Sequence, residues 1–308
     1  MPILSNGART GLSYVPEVTF GTTPPTPSLV SLPYTTHSLD LSKERVAGND
    51  LLSDRMARVD RHGNRSTAGD IVCDLRKGDY DLLLEAAFFS TFATNTLKIG
   101  TTFKSFSFED AALDITQYRL FSGCGISSFG LSVKPNQMAV ATFSVVGKDM
   151  SQAGTTLDAV KTAASLNAPF DSYSGLMRIG NTVGTLAALP IVTGIDFTIN
   201  NGLASRFVIG SSSTTDLEYS NAVIEGTITA YYQDATVLNR FINETESALE
   251  FSLDDPTGLS DYTFTFPRIK LNGAAVPVDG PTSRMITLPF VALYDTALAT
   301  SLQLVRSV

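Results

Sequence analysis

The feature that most constrains this sequence is an internal repeat, in which two distant segments carry the same series of elements. Each copy has a Leu-Pro pair, a strand pattern containing one aspartate and, 29 or 30 residues after that aspartate, a glycine. After the glycine, apolar residues recur at every second position, which is typical of a strand with one buried face. A chain with such a repeat is predicted to fold as two similar units. The matched residues are Leu32 and Leu189, Asp40 and Asp196, Gly69 and Gly226, and Ile71 and Ile228.

The remainder of each copy also corresponds. A short helix pattern follows the strand, and Asp79 or Asp81 in copy one and Asp234 in copy two are its candidate N-caps. Three more strand patterns follow in each copy, so the sequence predicts a mainly β fold with two tandem β-sandwich or partial-barrel domains, each with a short flanking helix. Chance similarity between two β-rich halves is the alternative. The predicted parts are copy one at 14–147, a linker at 148–171, copy two at 172–295 and a C-terminal tail at 296–308.

The charge of the chain restricts its partners. The net charge is −8, whereas a protein that binds DNA through its phosphates needs a basic surface. We therefore expect no specific nucleic-acid binding, although DNA that passes without binding is compatible with this charge. Residues 14–147 carry 12 basic and 14 acidic side chains, a net −2, and residues 172–295 carry 6 and 13, a net −7. The two copies are therefore expected to face different neighbours.

Cysteine content and hydropathy indicate the compartment. Cys73 and Cys124 are the two cysteines, and both fall in strand patterns, so we expect reduced, packed thiols and neither a disulfide nor a metal site. The N-terminal residues lack the apolar segment of a signal peptide, and no run approaches about 18 apolar residues. We expect a protein that is made in the cytoplasm and has no membrane partner.

The sequence lacks the common catalytic motifs. His37 and His62 are its two histidines, so there is no HExxH pair, and neither GxSxG nor GxxxxGK[ST] occurs. A Ser–His–Asp arrangement between distant residues stays open. The carboxylate pairs at 109–110 and 254–255 each end a strand before a turn, where aspartate commonly bonds the local backbone. We expect no catalytic residues, no cofactor and no metal.

Four segments spread along the chain carry a family resemblance. They are GLSYVPEVTFGTTPPTP from Gly11, GDYDLLLEAAF from Gly78, YTFTFPRIKL from Tyr262 and LPFVALYD from Leu288. In this order they resemble the major tail tube protein of long-tailed, siphovirus-type bacteriophages, over the chain from Gly11 to Asp295. The resemblance implies a structural virion protein that assembles with itself. In that family six small β-sandwich domains with flanking helices form a ring, their inner sheets join, and stacked rings form the hollow tail through which DNA passes.

The resemblance and the repeat together predict a stoichiometry. If a ring needs six tail-tube-type domains and each chain carries two, three chains complete a ring with pseudo-sixfold symmetry. A ring of six chains is the alternative. The implied partners are further copies of the chain, the tape-measure, tail-terminator and tail-tip proteins, and DNA that crosses the tube during ejection. Another β-rich virion assembly protein or a host-attachment or binding module is the alternative function.

Two long segments are candidates for contacts between rings. We name residues 44–65 the N-terminal arm and residues 200–224, their counterpart in copy two, the C-terminal arm. The resemblance implies that a long loop between two inner strands reaches the neighbouring ring, and we expect the arginines to meet acidic surface there. A solvated loop is the alternative. The candidate residues are Arg55, Arg58, Arg61 and Arg65 in the N-terminal arm and Asp216 and Glu218 in the C-terminal arm.

Asp70 and Asp74 are candidates for the lining of the tube. They alternate with Ile71 and Cys73, so their side chains point away from that apolar row. Duplex DNA carries one charge per about 1.7 Å, and a basic lining would retain it, whereas an acidic or neutral lining lets it pass. The outer surface is the alternative position for this face of the strand.

Overall fold

The structure is a computed structural model that describes residues 4–50, 53–54, 56, 58–165, 167–255, 261–278 and 280–307. In these ranges strands dominate and form large antiparallel sheets. The two α-helices found there, α1 (Asp81–Ala87) and α2 (Thr236–Ile242), have seven residues each. The predicted mainly β fold with two short helices is confirmed.

The strands are numbered in chain order and divide into an N-terminal half, β1 to β10, and a C-terminal half, β11 to β20. The N-terminal half contains β1 (Thr10–Pro16), β2 (Val30–Leu32), β3 (Thr36–His37), β4 (Asp40–Ala47), β5 (Asp60–Asp74), β6 (Thr96–Lys98), β7 (Phe106–Ala112), β8 (Gln117–Val133), β9 (Val140–Gly147) and β10 (Asp149–Ala153). The C-terminal half contains β11 (Met177–Gly180), β12 (Ala187–Ala188), β13 (Val192–Asn200), β14 (Ala204–Arg206), β15 (Asp216–Glu218), β16 (Val223–Tyr231), β17 (Ser247–Asp254), β18 (Asp261–Leu271), β19 (Met285–Ala292) and β20 (Gln303–Arg306).

The two halves have the same order of neighbouring strands. In the N-terminal half the order is β2-β1-β7-β8-β9-β5-β4, and in the C-terminal half it is β12-β11-β17-β18-β19-β16-β13. The irregularities also correspond. The β7–β8 register shifts between Phe106 and Phe108, and the β17–β18 register shifts between Ser247 and Leu249. Because a bulge bends its strand, β8 and β18 each pass from one layer of their half into the other.

Each half folds back on itself into two layers around an apolar core. The rings of Phe197 in β13 and Phe251 in β17 lie 5.9 Å apart, although these strands are distant in the order of neighbours. In the N-terminal half, His37 Nε2 of β3 lies 3.5 Å from Asp110 Oδ1 of β7 in the same way. The apolar side chains between the layers form one buried cluster that continues through both halves. Each half is therefore a β-sandwich.

The alternation predicted for β5 is confirmed. Ile71 and Cys73 are fully buried, whereas Asp70 and Asp74 lie on the opposite face of the strand. Cys73 and Cys124 are free, buried thiols, as predicted. Burial raises the pKa of Cys73 to about 12, so this thiol stays protonated at neutral pH.

The sequence match of Asp40 with Asp196 is wrong by two positions. Asp40 pairs with the residue before Gly69, whereas Asp196 pairs with the residue after Gly226. The position in the C-terminal half that corresponds to Asp40 is Thr198. Because a shift of two residues keeps every side chain on the same face of a strand, the alternation of apolar residues cannot detect this error.

Both helix N-caps differ from the predicted residues, since Tyr80 precedes α1 and Ala235 precedes α2. The N-cap of α1 is Tyr80 and neither predicted aspartate, and the Asp79 carboxylate instead accepts the N–H of Ser165 at 2.7 Å. This prediction failed because a tertiary contact competes for the carboxylate. At α2, Asp234 does accept a first-turn amide, the N–H of Thr236 at 2.7 Å, from the position before the N-cap.

The predicted linker and tail contain strands and contacts of their own. At the start of the linker segment, β10 pairs with β8, and further along Lys161 Nζ lies 2.7 Å from Oε1 of the buried Glu109. In the tail segment, β20 pairs with β18 on one side and with β6 of the N-terminal half on the other. The tail segment therefore joins the two halves, and the linker segment packs on the N-terminal half.

Candidate assembly edges

One layer of each half joins the other in a continuous sheet. The C-terminal part of β8 pairs with β9 on one side and with β13 on the other. Six residue pairs join residues 128–133 to residues 195–200, and we name this pairing the seam. The sheet therefore runs β4-β5-β9-β8-β13-β16-β19-β18 through both halves.

Buried aromatic and amide groups stabilise the seam. The rings of Phe129 and Phe197 meet edge to face at 5.9 Å, and such a pair contributes about 0.5–1.5 kcal/mol beyond its buried area. Next to the seam, Asn201 donates from Nδ2 to the carbonyls of Ala87 at 2.9 Å and Ile126 at 3.3 Å. Asn201 is 1% exposed, so losing it would leave buried carbonyls of the N-terminal half without a donor.

The continuous sheet ends at two edges to which no strand of the described chain pairs. At one end, residues 36–42, which run from β3 into the start of β4, lie along β5 on a single side, and we name them the first open edge. At the other end, residues 273–278 continue β18 alongside β19, and we name them the second open edge. An exposed sheet edge presents unpaired backbone groups and is a template for another strand.

Exposed side chains of the chain itself bond both open edges. At the first open edge, the Asp40 carboxylate accepts the backbone N–H of Leu41 at 2.8 Å. At the second, Arg284 Nη2 donates to the carbonyl oxygen of Val276 at 3.1 Å. Asp40 and Arg284 are both exposed, so these local bonds can be exchanged for bonds to another strand.

A charged cluster lies beneath the first open edge. Arg119 Nη2 donates to Asp110 Oδ2 at 2.6 Å, and its Nη1 lies 3.7 Å from Asp40. Burial opposes ionisation of Asp110, but hydrogen bonds from His37 and Arg119 outweigh it and lower the pKa of this carboxyl. Nδ1 of His37 has no hydrogen-bond partner among the described residues. Among the described residues, no serine therefore completes a Ser–His–Asp triad on this pair.

The described residues of the distal N-terminal arm, 53–54, 56 and 58–61, are exposed. Arg58 forms an ion pair with Asp54 inside the arm, and Arg61 projects from β5 without burial. Arg55 lies outside the described residues. Arg58 and Arg61 are therefore placed on a surface that another molecule can reach, while the contact they make there stays a prediction.

The base of the N-terminal arm is fixed to the rest of the chain. Arg65 Nη2 lies 2.7 Å from Asp149 Oδ2 of β10. The backbone N–H of Arg65 also donates to the carbonyl of Ser212 in the C-terminal arm at 2.7 Å. Arg65 thus links the two arms within one chain.

The C-terminal arm folds onto the N-terminal half. Its strands β14 and β15 form a two-stranded sheet, in which Glu218 Oε2 lies 2.8 Å from Arg206 Nη2 and the exposed Asp216 pairs in register with Arg206. Leu203 and Leu217 of this arm pack in a small cluster with Phe89 of the N-terminal half. Glu218, like Arg65, therefore already has a partner within the chain.

The face of the continuous sheet that points away from the core is acidic. Asp70 is exposed and Asp74 is half-buried on this face, where Lys134 Nζ lies 3.9 Å from Asp196. The structure thus brings both predicted aspartates to one surface. Three further acidic side chains share it, namely Asp40, Asp196 and Glu225.

Metal-binding clusters and membrane-spanning helices are both absent from the described residues. They contain no group of three His, Cys, Asp or Glu side chains placed to hold a metal ion. None of the described helices has the length and hydropathy that a membrane span requires.

The seam and the second open edge were missed by the sequence analysis. One signal was present: β8 has 17 residues, whereas strands commonly have 3–10. A strand of this length has room for more than one pair of neighbours, and β8 pairs with β7, β9, β10 and β13.

Comparisons with known proteins identify the family. A sequence model described as "Phage tail tube protein" matches residues 7–292. No curated protein matches the chain. The family match covers nearly all of the 308 residues and confirms the resemblance drawn from the four sequence segments. This chain therefore belongs to the phage tail tube protein family, whose members are structural components of the virion tail.

Proposed function

We propose that this chain is the subunit that assembles into the hollow phage tail tube, and that each half is one tube domain. The proposed domains are residues 14–147 and 172–295, joined by a linker at 148–171 and followed by a tail at 296–308. The matching strand order and the matching bulges of the two halves support a duplication, because unrelated sandwiches have no reason to share both.

The seam is the observation that carries the proposal. One chain already joins two layers of like topology edge to edge, and it leaves an open edge at each end of the joined sheet. Repeating this contact between chains buries the open edges without any new kind of interface. Contacts that repeat head to tail close into a ring at a fixed number of units. With two domains in each chain, three chains complete a ring of six domains.

The acidic face of the continuous sheet suits the inner wall of the tube. Asp70 and Asp74 lie on this face, and its charge repels the phosphates of DNA. DNA would then pass through the tube during ejection without being held. The net charge of the whole chain, −8, has the same sign as the charge of DNA.

The N-terminal arm is proposed to reach the next ring. Arg58 and Arg61 lie on its exposed part and carry charge that complements the acidic C-terminal half, whose residues 172–295 have a net −7. The remaining partners follow from a tail tube: the tape-measure protein inside it and the terminator and tip proteins at its ends. The subunit would be made in the host cytoplasm and function in the virion.

Electron microscopy of the purified protein tests this function. On raising the protein concentration, we expect hollow tubes with stacked rings, and averaged cross-sections with threefold symmetry and six similar lobes. Six chains in each ring would replace the trimeric ring by the alternative stoichiometry. A protein that stays monomeric at high concentration, or forms solid aggregates without a lumen, contradicts the proposed function.

A further inference from the structure

We propose that neighbouring chains in a ring pair through their open edges in the register of the seam, so that residues 37–42 of one chain pair antiparallel with residues 273–278 of the next. This proposal rests on the proposed function, since it names the contact that closes the ring. It is derived from the pairing that one chain makes within itself, and it assigns a partner to residues 37–42 of the first open edge and to every residue of the second open edge.

The first step is to locate the residues of the first open edge within the repeat. Leu41 pairs with the residue two positions before Gly69, and Ile199 pairs with the residue two positions before Gly226. Gly69 and Gly226 are equivalent, because they occupy matching positions in β5 and β16. Leu41 is therefore equivalent to Ile199, and residues 37–42 are equivalent to the seam residues 195–200.

The second step locates the second open edge. Gly69 and Gly226 pair with Val145 of β9 and Phe290 of β19. Gly130 pairs with the residue three positions before Val145. Ala275 pairs with the residue three positions before Phe290. Ala275 is therefore equivalent to Gly130, and residues 273–278 are equivalent to the seam residues 128–133.

The seam then supplies the register between chains. Within the chain, Thr198 lies opposite Gly130. Their equivalents are Asp40 and Ala275, so Asp40 of one chain is placed opposite Ala275 of the next. The remaining pairs follow in antiparallel order and are His37 with Val278, Ser38 with Pro277, Leu39 with Val276, Leu41 with Ala274, and Ser42 with Gly273.

The backbone hydrogen bonds agree independently with this register. Ser38 donates its N–H to Asp70 of β5 at 2.9 Å, so Leu39 and Leu41, which alternate with it, direct their backbone groups outward. Ala275 exchanges bonds with Thr287 of β19 at 3.1 and 3.0 Å, so its two neighbours direct theirs outward. The transferred register places these two outward sets opposite each other, as a ladder requires.

The side chains agree as well. Leu39 is buried in the core, and Ala274 and Val276 pack against that same core, so apolar residues meet apolar residues across the proposed contact. Pro277 lacks an N–H, but the alternation directs its nitrogen toward β19. It therefore removes no donor from the second open edge, which is the condition under which proline is tolerated at a sheet edge.

The proposed contact between chains would replace two hydrogen bonds that side chains of the same chain make to the open edges. The outward N–H of Leu41 is held by Asp40, and the outward carbonyl of Val276 is held by Arg284. Both groups fall inside the proposed ladder. In the free chain these side chains satisfy the edges and delay their association, and a second copy of the chain is the occupant that satisfies them by backbone pairing.

Disulfide trapping tests the register. The variant Asp40→Cys with Ala275→Cys places two thiols at a pair that does not exchange backbone bonds, where Cβ atoms lie about 4.5–5.5 Å apart. Assembled tubes treated with diamide, which takes up the two electrons and protons of the thiols, should yield covalent oligomers on a denaturing gel. With three chains in a ring the largest product is a trimer. The native Cys73 and Cys124 are fully buried and do not contribute.

The chain supplies a matched control. Thr198→Cys with Gly130→Cys is the equivalent pair inside the seam, and a Cβ at Gly130 would lie 3.7 Å from Thr198 Oγ1 with no clash. This variant should form its disulfide within a single chain at any concentration. Thr36→Cys with Ala275→Cys shifts the register by four residues and should give at least a tenfold lower yield of oligomers.

The outcomes separate the inference from the function on which it rests. Tubes that form but show no trapping at Asp40 and Ala275, nor at a second pair, Ser38→Cys with Pro277→Cys, overturn the register and leave the tube function intact. Equal trapping by the shifted pair also overturns it. If the unmodified protein forms no tubes, the proposed function itself fails. A ladder that reaches six chains supports the junction and replaces the trimeric ring.

Discussion

The first open edge and the β13 side of the seam occupy the same place in their halves, yet only one of them is covered. Residues 195–200 pair with β8 and bury Phe197 and Ile199, whereas residues 37–42 lack a strand on their outer side in the described chain. The chain therefore completes one of two equivalent contacts by itself. The difference supports the proposal that the first open edge is one half of an interface between chains.

The same contrast applies to the arms. The C-terminal arm packs Leu203 and Leu217 on the N-terminal half, while the residues of the distal N-terminal arm that the structure describes are exposed. In both comparisons the exposed region lies in the N-terminal half and its covered counterpart lies in the C-terminal half. The following predictions test this contrast, beginning with the largest expected effect on stability.

Proline in the two equivalent strands should separate folding from assembly. By the alternation that starts at Asn201, which donates to Ser127 at 2.9 Å, the N–H of Ile199 faces β8. Ile199→Pro should lower the free energy of unfolding by about 3 kcal/mol or more, because a carbonyl of β8 would lose its donor and apolar burial would be lost. Leu41→Pro should lower the free energy of unfolding by about 1–2 kcal/mol, through lost apolar contact. It should nevertheless prevent tube formation. Denaturant unfolding and electron microscopy measure the two effects, and tubes from Leu41→Pro would contradict the edge contact.

Substituting Asn201 and its equivalent, Lys43, should give a smaller difference in stability between the two halves. Asn201→Ala removes two buried hydrogen bonds to carbonyls of the N-terminal half and should destabilise the chain by about 1–3 kcal/mol. Lys43 is exposed, so Lys43→Ala should stay within about 0.5 kcal/mol of the unmodified protein. Urea denaturation of the two variants makes the comparison. Equal losses would mean that the seam contributes no more than a free edge.

The cluster below the first open edge predicts a pH dependence. The pKa of Asp110 is lowered below its ordinary 3.8 in the folded chain, so this carboxylate stabilises the fold above that pH. The stabilisation is lost as the pH falls through the lowered value. Asp110→Asn should therefore be less stable than the unmodified chain at pH 6, and the difference should shrink toward pH 2. Unfolding curves across this range check the sign, and a difference that grows on acidification would be inconsistent with it.

Charge reversal in the N-terminal arm should leave stability nearly unchanged and weaken stacking. Arg58 and Arg61 are exposed, and the ion pair of Arg58 with Asp54 contributes at most about 1 kcal/mol. Arg58→Glu with Arg61→Glu should shorten tubes at low salt, and high salt should reduce the difference because it screens exposed charges. Tube lengths in micrographs provide the measurement. Unaltered tubes at low salt would favour the arm as a solvated loop.

The mainly β fold and the two helices were predictable because they depend on local patterns. Apolar residues at every second position fix which face of β5 is buried, and this pattern does not depend on the rest of the chain. The helix N-cap prediction for α1 failed where Asp79 bonds Ser165, a residue far along the sequence. The match of Asp40 with Asp196 failed because alternation is insensitive to a shift of two residues.

The candidate residues show the same limit. Asp70 and Asp74 could be assigned to one face from their own strand, but the partners of Arg65 and Glu218 were hidden until distant segments were brought together. The type of residue predicted a charged contact in each case. Whether the contact lies within the chain or between chains depends on which surfaces the fold leaves free.

By itself, the sequence determined that the chain is a β protein built of two similar parts. The alternation of apolar residues and the repeated series of elements can both be recognised from the order of the residues alone. Only the tertiary structure decided that β8 carries a neighbour on both sides and that the same sheet ends in two unpaired edges. Strand pairing joins residues that are far apart in the chain through backbone groups that every residue shares. Side-chain identity therefore indicates where a strand lies, but only the folded arrangement shows which of its edges still needs a partner.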